Sequence, residues 1–287
     1  MVRPLVSFAV SVILALGIFL ILVSLWGFYV SIRPPKIISH INPNDLAMEY
    51  EDVYFRTEDN INLRGWWIPK NNGLGEKTIV LLHGYPADKG DILPAFSFLH
   101  DGYNLFLFDF RYLGQSGGRY STAGVLEQED LLAALRYLKS RGINETGVWG
   151  FSMGAAVALV IASDVHEIKA IVSEASYASL DLMTRELYQI YGIRRSLGFL
   201  TGFWAKLFLG VDVKKAEPVD AVKKLSIPIL IIHSTDDATI PFEHALMLKE
   251  SLVHNTRAEF WFKDNLAHGS FGKDYQKRVT DFFAKNL

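Results

Sequence analysis

Apolar and polar positions divide the chain into three regions with different periods. The first, "LVSFAVSVILALGIFLILVSLWGFYVSI", is almost continuously apolar, and no charged residue occurs between Arg3 and Arg33. From residue 51 onward, short apolar runs alternate with stretches in which apolar residues recur every three to four positions. The short runs predict buried strands, and the longer stretches predict amphipathic helices. A third region, residues 178–212, interrupts this alternation.

The N-terminal apolar run is longer than the roughly 20 residues that cross a bilayer. Trp26 and Tyr29 lie near its end, where amphipathic rings favour lipid headgroups. The alternatives are a buried core helix and a signal peptide, whose apolar core is about 7 to 15 residues and ends at a small-residue cleavage site. We predict an uncleaved single-pass anchor over residues 4–32 and a linker over residues 33–50. Basic residues flank both ends, so the side of the membrane that holds the remaining chain stays open.

The remaining chain has the pattern of an α/β domain over residues 51–287. The stretch "VYFRTEDNINLRGWWIP" contains two alternating runs around a polar turn and predicts a hairpin. Six later runs, beginning with "KTIVLLH", are short and rich in Val, Ile and Phe, as expected of strands buried on both faces. Helical patterns such as "VLEQEDLLAALRYLKSRG" lie between them. This alternation predicts a mostly parallel central sheet flanked by helices.

The interrupting region, residues 178–212, contains two apolar helical patterns separated by "GIRR" and predicts a helical insertion over the sheet. Six residues of the second pattern recur at helical spacing and form one apolar stripe: Phe199, Leu200, Phe203, Trp204, Leu207 and Phe208. The stripe has three interpretations, which are ordinary core packing, the lining of an acyl pocket, and contact with a membrane surface. The last two describe a lid.

Composition narrows the possible functions. The 287 residues, half of them hydrophobic, are enough for one large domain and an appendage. A formal net charge of -2 and the absence of basic runs with interleaved aromatics argue against a nucleic-acid partner. The chain has no cysteine, which excludes disulfides, thiolate catalysis and cysteine-ligated metals and leaves the compartment open.

The stretch "WGFSMGAA" places Ser152 between Gly150 and Gly154, in the pattern G-x-S-x-G. This pattern is typical of a nucleophile elbow, a tight strand-to-helix turn that lifts a serine hydroxyl above a sheet. Here the apolar run "ETGVWGF" precedes the serine and the helix-forming run "MGAAVALVIAS" follows it, which is the context that the elbow requires. Ser152 is therefore a candidate nucleophile.

A serine nucleophile needs a base, and the base needs an acid that orients it. Asp236 and Asp237 follow the predicted strand "IPILIIHS", and His268 follows the last predicted strand. Strand ends of a parallel sheet meet at one edge, so these residues and Ser152 are expected there. The other seven histidines are excluded by chain order or by a predicted place in or beside a strand or helix: His40, His83, His100, His166, His233, His244 and His254.

The transition state of acyl transfer also needs N–H donors for its oxyanion. One is the backbone N–H after the nucleophile, that of Met153. The second is expected from the loop "HGYP" after an earlier strand, where Tyr85 is the candidate because Pro86 has no N–H.

The ordered segments "LLHGYP", "FDFRYLGQSGG", "GFSMGAA", "HSTDDATIP" and "AHG" resemble the α/β-hydrolase superfamily over about residues 50–287, in particular its serine esterase, monoacylglycerol-lipase-like and serine-peptidase-like branches. The resemblance implies the α/β-hydrolase fold. It also implies a nucleophile, base, acid and two oxyanion donors, which are Ser152, His268, Asp237, Tyr85 and Met153.

One position departs from the pattern of the resembled family. The segment "FDFRYLGQS" corresponds to D-x-R-G-x-G-x-S in relatives, so Tyr112 takes the place of a glycine. The resemblance implies structural roles for Asp109 and Arg111, so the replacement at Tyr112 affects the shape of the loop rather than the chemistry.

These observations predict a membrane-anchored serine hydrolase that cleaves carboxylic esters of acyl or lipid type through an acyl-enzyme, with no cofactor and no metal. The same fold hosts serine peptidases and thioesterases, and a non-catalytic binding protein is the alternative from another class. The apolar insertion and the anchor favour an acyl or lipid ester over a peptide. Acyl chain length and oligomeric state stay open.

Overall fold

The fold is built on one central sheet. The computed structural model describes residues 2–70, 77–188, 190 and 192–287. Within them the strands are β1 (Glu51–Arg56), β2 (Asn62–Ile68), β3 (Thr78–Leu82), β4 (Asn104–Phe108), β5 (Thr146–Phe151), β6 (Ile168–Glu174), β7 (Ile229–Ser234) and β8 (Ala258–Lys263). Their order is β1-β2-β4-β3-β5-β6-β7-β8. The β1–β2 hairpin is antiparallel and joins β4 antiparallel, whereas all pairs from β4 to β8 are parallel.

The α-helices of the described residues are α1 (Val2–Ile32), α2 (Lys89–Phe96), α3 (Glu127–Ser140), α4 (Met153–Ile161), α5 (Leu180–Glu186), α6 (Arg194–Leu209), α7 (Pro218–Ala221), α8 (Phe242–Ser251) and α9 (Tyr275–Asn286). Some of them cover the two faces of the sheet. Side chains of α2 and α9 belong to one core cluster, and those of α3, α4 and α8 belong to the other. The predicted α/β architecture with a mostly parallel sheet is confirmed.

The two cores explain why the strands read as continuous apolar runs. Along β3, Ile79 and Leu81 pack into the core beneath α2 and α9, while Val80 and Leu82 pack into the core beneath α3 and α4. All four side chains are fully buried. Successive residues of a strand point to opposite faces, so a strand covered on both sides must be apolar at every position.

The insertion consists of α5 and α6. Helix α6 begins at Arg194, earlier than the predicted break suggested, and residues 189 and 191 of the insertion lie outside the described residues. Most of the predicted stripe is exposed, from 46% at Phe203 to 73% at Phe199. Ordinary core packing therefore does not account for the stripe.

Helix α1 has two parts that differ in burial. Residues 6–19 are all exposed, although the helix from Val6 to Ile32 has a mean hydropathy of 2.9. The alternative of a buried core helix is therefore wrong for this part. Further along, Ser24, Gly27 and Phe28 are buried, because this end of α1 packs against α6. The buried positions recur three and four residues apart, which is one helix face.

Candidate active site

Ser152 occupies a sharp turn between β5 and α4. Its backbone angles are φ 53° and ψ -115°, a conformation that costs energy for any residue with a side chain. The neighbouring glycines allow the turn, since a Cβ at Gly150 would lie 2.6 Å from the Cα of Ala155 and a Cβ at Gly154 would lie 2.6 Å from the carbonyl oxygen of His83. The turn thus has the geometry expected of a nucleophile elbow.

Asp237 and His268 are brought together by the loops after β7 and β8. His268 Nδ1 lies 2.6 Å from Asp237 Oδ2. The other carboxylate oxygen, Oδ1, accepts hydrogen bonds from the backbone N–H groups of Thr239 and Ile240 at 2.8 and 2.9 Å. Burial alone would raise the pKa of Asp237, but the hydrogen bonds from His268 and from these amides hold that pKa below its usual value. The buried carboxylate therefore stays ionised and can orient the imidazole.

His268 also lies beside the elbow. Its ring packs on Phe151, the residue before Ser152, with 4.7 Å between ring centroids. Among the described residues no hydrogen bond joins Ser152 to His268, and such bonds are often long before substrate binds. The serine, the imidazole and Asp237 nonetheless come from three strand ends at one edge of the sheet.

Asp236, the other candidate acid, is directed elsewhere. Its Oδ2 accepts a hydrogen bond from the backbone N–H of Asn265 at 2.7 Å and from the hydroxyl of Thr235 at 2.8 Å. The hydrogen bond from Asn265 lowers the pKa of this exposed carboxyl. Asp236 thus joins the loop after β7 to the loop after β8, and Asp237 is the neighbour that contacts His268.

Three buried histidines brace the loops of the site, a role that chain order could not reveal. His83 Nε2 accepts the N–H of Phe110 at 3.0 Å while its Nδ1 lies 2.7 Å from the Gly84 carbonyl. His233 Nε2 lies 2.9 Å from the carbonyl oxygen of Ile240, and His244 accepts a backbone N–H at the base of the insertion. Burial lowers the pKa of all three imidazoles. His83 and His233 lie at strand ends and His244 lies in α8, and their bracing contacts show only in the structure.

The two candidate oxyanion donors flank the elbow. Met153 is the first residue of α4, and the first N–H groups of a helix have no partner within the helix. Tyr85 follows Gly84, where a Cβ would lie 2.8 Å from the ring of Phe151 and 3.3 Å from the Cβ of Ser152. Only a glycine lets this loop approach the elbow so closely.

The loop after β4 is held by buried charges, in keeping with the structural roles expected of Asp109 and Arg111. Asp109 pairs with Lys89 at 2.7 Å, and Arg111 pairs with Asp130 at 2.7 Å. Tyr112 adopts the left-handed backbone conformation, with φ 67°, that a glycine would favour. The loop therefore keeps its shape, and the tyrosine side chain is free to contact the segment after α1.

A cavity of about 220 Å³ opens beside Ser152. Its walls are mainly apolar and include Tyr85 and Met153, residues of α5 such as Met183, and residues of α1. The described α6 residues that line it are Thr201, Ala205 and Leu209, none of which belongs to the predicted stripe. The interpretation that the stripe lines an acyl pocket is therefore wrong, because the opposite face of α6 does so.

Comparison with known proteins identifies the family. A sequence profile described as "alpha/beta hydrolase fold" matches residues 77–199. The Pyrococcus furiosus esterase Pf2001 has a similar structure, with a TM-score of 0.73 and 31% sequence identity over 88% of this chain and 99% of that chain. The chain belongs to the α/β-hydrolase family. Curated relatives of this α/β hydrolase include protein bem46 of Schizosaccharomyces pombe, 26% identical over 85% of this chain and 80% of the relative.

Another relative of this α/β hydrolase is the lysophosphatidylserine lipase ABHD12 of Danio rerio, which is 26% identical over 74% of this chain and 61% of its own length. The profile match covers residues 77–199, so it includes the Ser152 elbow and the Tyr85 loop. Asp237 and His268 come from the chain beyond that match. Hydrolase function follows from the family and its esterase and lipase members.

Proposed function

We propose that this α/β hydrolase is a membrane-anchored serine hydrolase that cleaves carboxylic esters. The observation that carries the proposal is the 2.6 Å contact between His268 Nδ1 and a buried, ionised Asp237, at the same sheet edge as the strained turn of Ser152. A buried acid that holds an imidazole beside an elbow serine is the arrangement that activates a hydroxyl.

The reaction follows from these positions. Ser152 Oγ attacks the ester carbonyl as His268 Nε2 takes its proton, and the imidazolium then gives that proton to the departing alcohol. The acyl group stays on Ser152 until water, which gives a proton to the same imidazole, attacks its carbonyl carbon. The acyl–Oγ bond then breaks, the carboxylic acid leaves, and the imidazolium returns the proton to Ser152 Oγ. Asp237 stabilises the imidazolium through both steps. The N–H groups of Met153 and Tyr85 stabilise the oxyanion, and the N-terminus of α4 adds its positive dipole.

The cavity beside Ser152 supports an acyl substrate. Apolar side chains form most of its wall, so a hydrocarbon chain gains about 0.8 kcal/mol for each methylene that it buries there. The insertion over residues 178–212 supplies much of this wall through α5 and the inner face of α6, and we propose that it acts as a lid. Relatives described as an esterase and a lipase support an ester as the substrate.

The exposed part of α1 supports membrane anchoring. Residues 6–19 are apolar and lie outside both cores, a condition that lipid satisfies and water does not. We propose an anchor helix over residues 4–32, whose part before Ser24 lies in lipid, a linker over 33–50 and a catalytic domain over 51–287. The exposed stripe of α6 would then lie against the membrane surface.

A fluorophosphonate probe tests the nucleophile. The full chain in detergent should be labelled at Ser152, as mapped by mass spectrometry, and should hydrolyse p-nitrophenyl esters. Ser152→Ala should abolish labelling and lower kcat by about 10⁶-fold. Ser140→Ala, at an exposed serine of α3, is the matched control and should behave as the wild type. Labelling that persists in Ser152→Ala would refute the assignment, and turnover of peptides or thioesters alone would refute the ester substrate.

Carbonate extraction tests the anchor. The full chain should stay in the membrane pellet through high-salt and carbonate washes, because an uncharged apolar helix of this length is stable only in lipid. Release into the supernatant would contradict membrane insertion. A mature N-terminus near residue 35 would indicate a cleaved signal peptide instead.

A further inference from the structure

The C-terminal end of α1 lies at the cavity rather than apart from the catalytic domain. Phe28, Ser31 and Ile32 line the same cavity as Ser152. The ring of Phe28 is buried and stacks on Phe208 of α6, with 6.0 Å between centroids. The helix that anchors the protein thus contributes a wall of the space next to the nucleophile.

Polar contacts fix this part of α1 against the insertion. The buried hydroxyl oxygen of Ser24 accepts a hydrogen bond from Trp204 Nε1 at 2.9 Å, and the Ser24 carbonyl accepts one from the Tyr188 hydroxyl at 3.4 Å. Gly27 lets the two elements approach, because a Cβ there would overlap the Tyr188 hydroxyl. Small residues at Ser24 and Gly27 therefore set the position of Phe28 at the cavity.

The last carbonyl groups of α1 are bound by the catalytic domain. The final four carbonyls of a helix lack partners within it. The Tyr85 hydroxyl donates to the Ser31 carbonyl at 2.7 Å, and the backbone N–H of Ser121 donates to the Ile32 carbonyl at 2.9 Å. Two residues further on, the Tyr112 hydroxyl donates to the Pro34 carbonyl at 3.0 Å. The helix end is therefore joined directly to Tyr85, a proposed oxyanion donor.

We infer that the last two turns of α1 form part of the acyl-binding site, with Phe28 and Ile32 as specificity-determining residues that contact the substrate chain. The inference rests on the proposed ester hydrolysis and deepens it. The substrate class is a carboxylic ester whose acyl chain is long enough to pass Ser152 and reach α1. Acetate esters would not extend that far and would not use this wall.

The test compares acyl chain lengths in the full chain purified in detergent. Phe28→Ala and Ile32→Ala should each lower kcat/KM for p-nitrophenyl decanoate about tenfold or more, since each lost methylene contact weakens binding severalfold. The value for p-nitrophenyl acetate should stay near that of the wild type. Phe19→Ala is the matched control, because Phe19 lies on the same helix but is exposed and outside the cavity.

A third cavity variant separates cavity shape from helix docking. Ile32→Trp keeps an apolar side chain at this position but fills space, so it should reduce decanoate turnover while acetate turnover persists. Two results would overturn the role of α1 while ester hydrolysis itself stands. One is an equal loss on both esters in all three cavity variants, and the other is decanoate turnover at the wild-type level in all three. A wild-type chain that hydrolyses no ester would overturn the proposed function, and this inference with it.

Discussion

Asp237→Asn is the sharpest perturbation of the site, because both carboxylate oxygens of Asp237 have assigned partners. Oδ1 accepts the N–H groups of Thr239 and Ile240, while Oδ2 faces His268 Nδ1. An asparagine amide has only one acceptor oxygen. Two backbone bonds outweigh one, at about 1 kcal/mol each, so the oxygen should face the two amides and the NH₂ group should face the imidazole.

That orientation forces the wrong tautomer on His268. Its Nδ1 must then accept a hydrogen bond, so the proton moves to Nε2, the atom that has to receive the proton of Ser152. Loss of the acid in such an arrangement lowers kcat by about 10⁴-fold. We expect a loss of this size for p-nitrophenyl butyrate, with little change in melting temperature, because the asparagine retains the backbone contacts.

Asp236→Asn is the matched control, since it makes the same chemical change one residue earlier in the chain. Its carboxylate is exposed and bonds Asn265 and Thr235, so we expect a change in kcat of less than about threefold. A larger loss in Asp236→Asn than in Asp237→Asn would refute the assignment of the acid. Activity above a tenth of the wild type in Asp237→Asn would refute the tautomer argument.

Three further predictions concern the elbow, the buried histidines and the stripe. Gly154→Ala should destabilise the protein by about 1–3 kcal/mol and slow fluorophosphonate labelling, because its Cβ would lie 2.6 Å from a backbone oxygen; an unchanged melting temperature would contradict this. Burial lowers the pKa of His83, His233 and His244, so at these sites the unfolded chain binds more protons below about pH 6.5, and they lower the free energy of unfolding as the pH drops from there to 5, whereas buried Asp130, whose pKa is raised to about 7, acts in the opposite direction. His233→Gln should therefore lose less stability than the wild type over this pH range, and identical pH profiles of the two proteins in denaturant titrations would contradict this. Phe203→Ala should leave the ratio of decanoate to acetate turnover within about twofold of the wild type, since Phe203 does not line the cavity, and a selective loss on decanoate would show that it does.

Strong local signals made the sheet and the elbow predictable. A strand buried on both faces must be apolar throughout, and β3 and β5 show this in the sequence. The glycines around Ser152 are required by contacts within the turn and with the adjoining strand, so the elbow can be recognised from the five residues 150–154 alone. The preference for Asp237 over Asp236 came from the family resemblance and not from spacing, because adjacent loop residues point in directions that depend on the loop backbone.

The helical faces were harder to predict because apolar spacing identifies a stripe without identifying its neighbour. In α6 the side chains of Phe199, Phe203 and Leu207 are exposed, while Thr201 and Ala205, which are small, line the cavity. In α1 the docking face contains Ser24 and Gly27, which are inconspicuous within a long apolar helix. Hydropathy therefore indicated that α1 suits lipid but could not indicate that its end also packs against protein.

The docked end of α1 also sets the distance between the catalytic domain and the proposed membrane. Residues 2–23 precede the docked part, and at about 1.5 Å per residue they measure roughly 33 Å, close to the thickness of about 30 Å of a bilayer's hydrocarbon core. Ser24 would then stand at the lipid surface, and the Ser31 carbonyl bound by Tyr85 would stand about 10 Å above it. Because the helix end and the segment after it are hydrogen-bonded to the domain, the domain cannot rotate freely about a flexible linker. Ser152 would then have a fixed distance from the membrane surface and a fixed orientation to it. An acyl chain that leaves the membrane only in part could reach it.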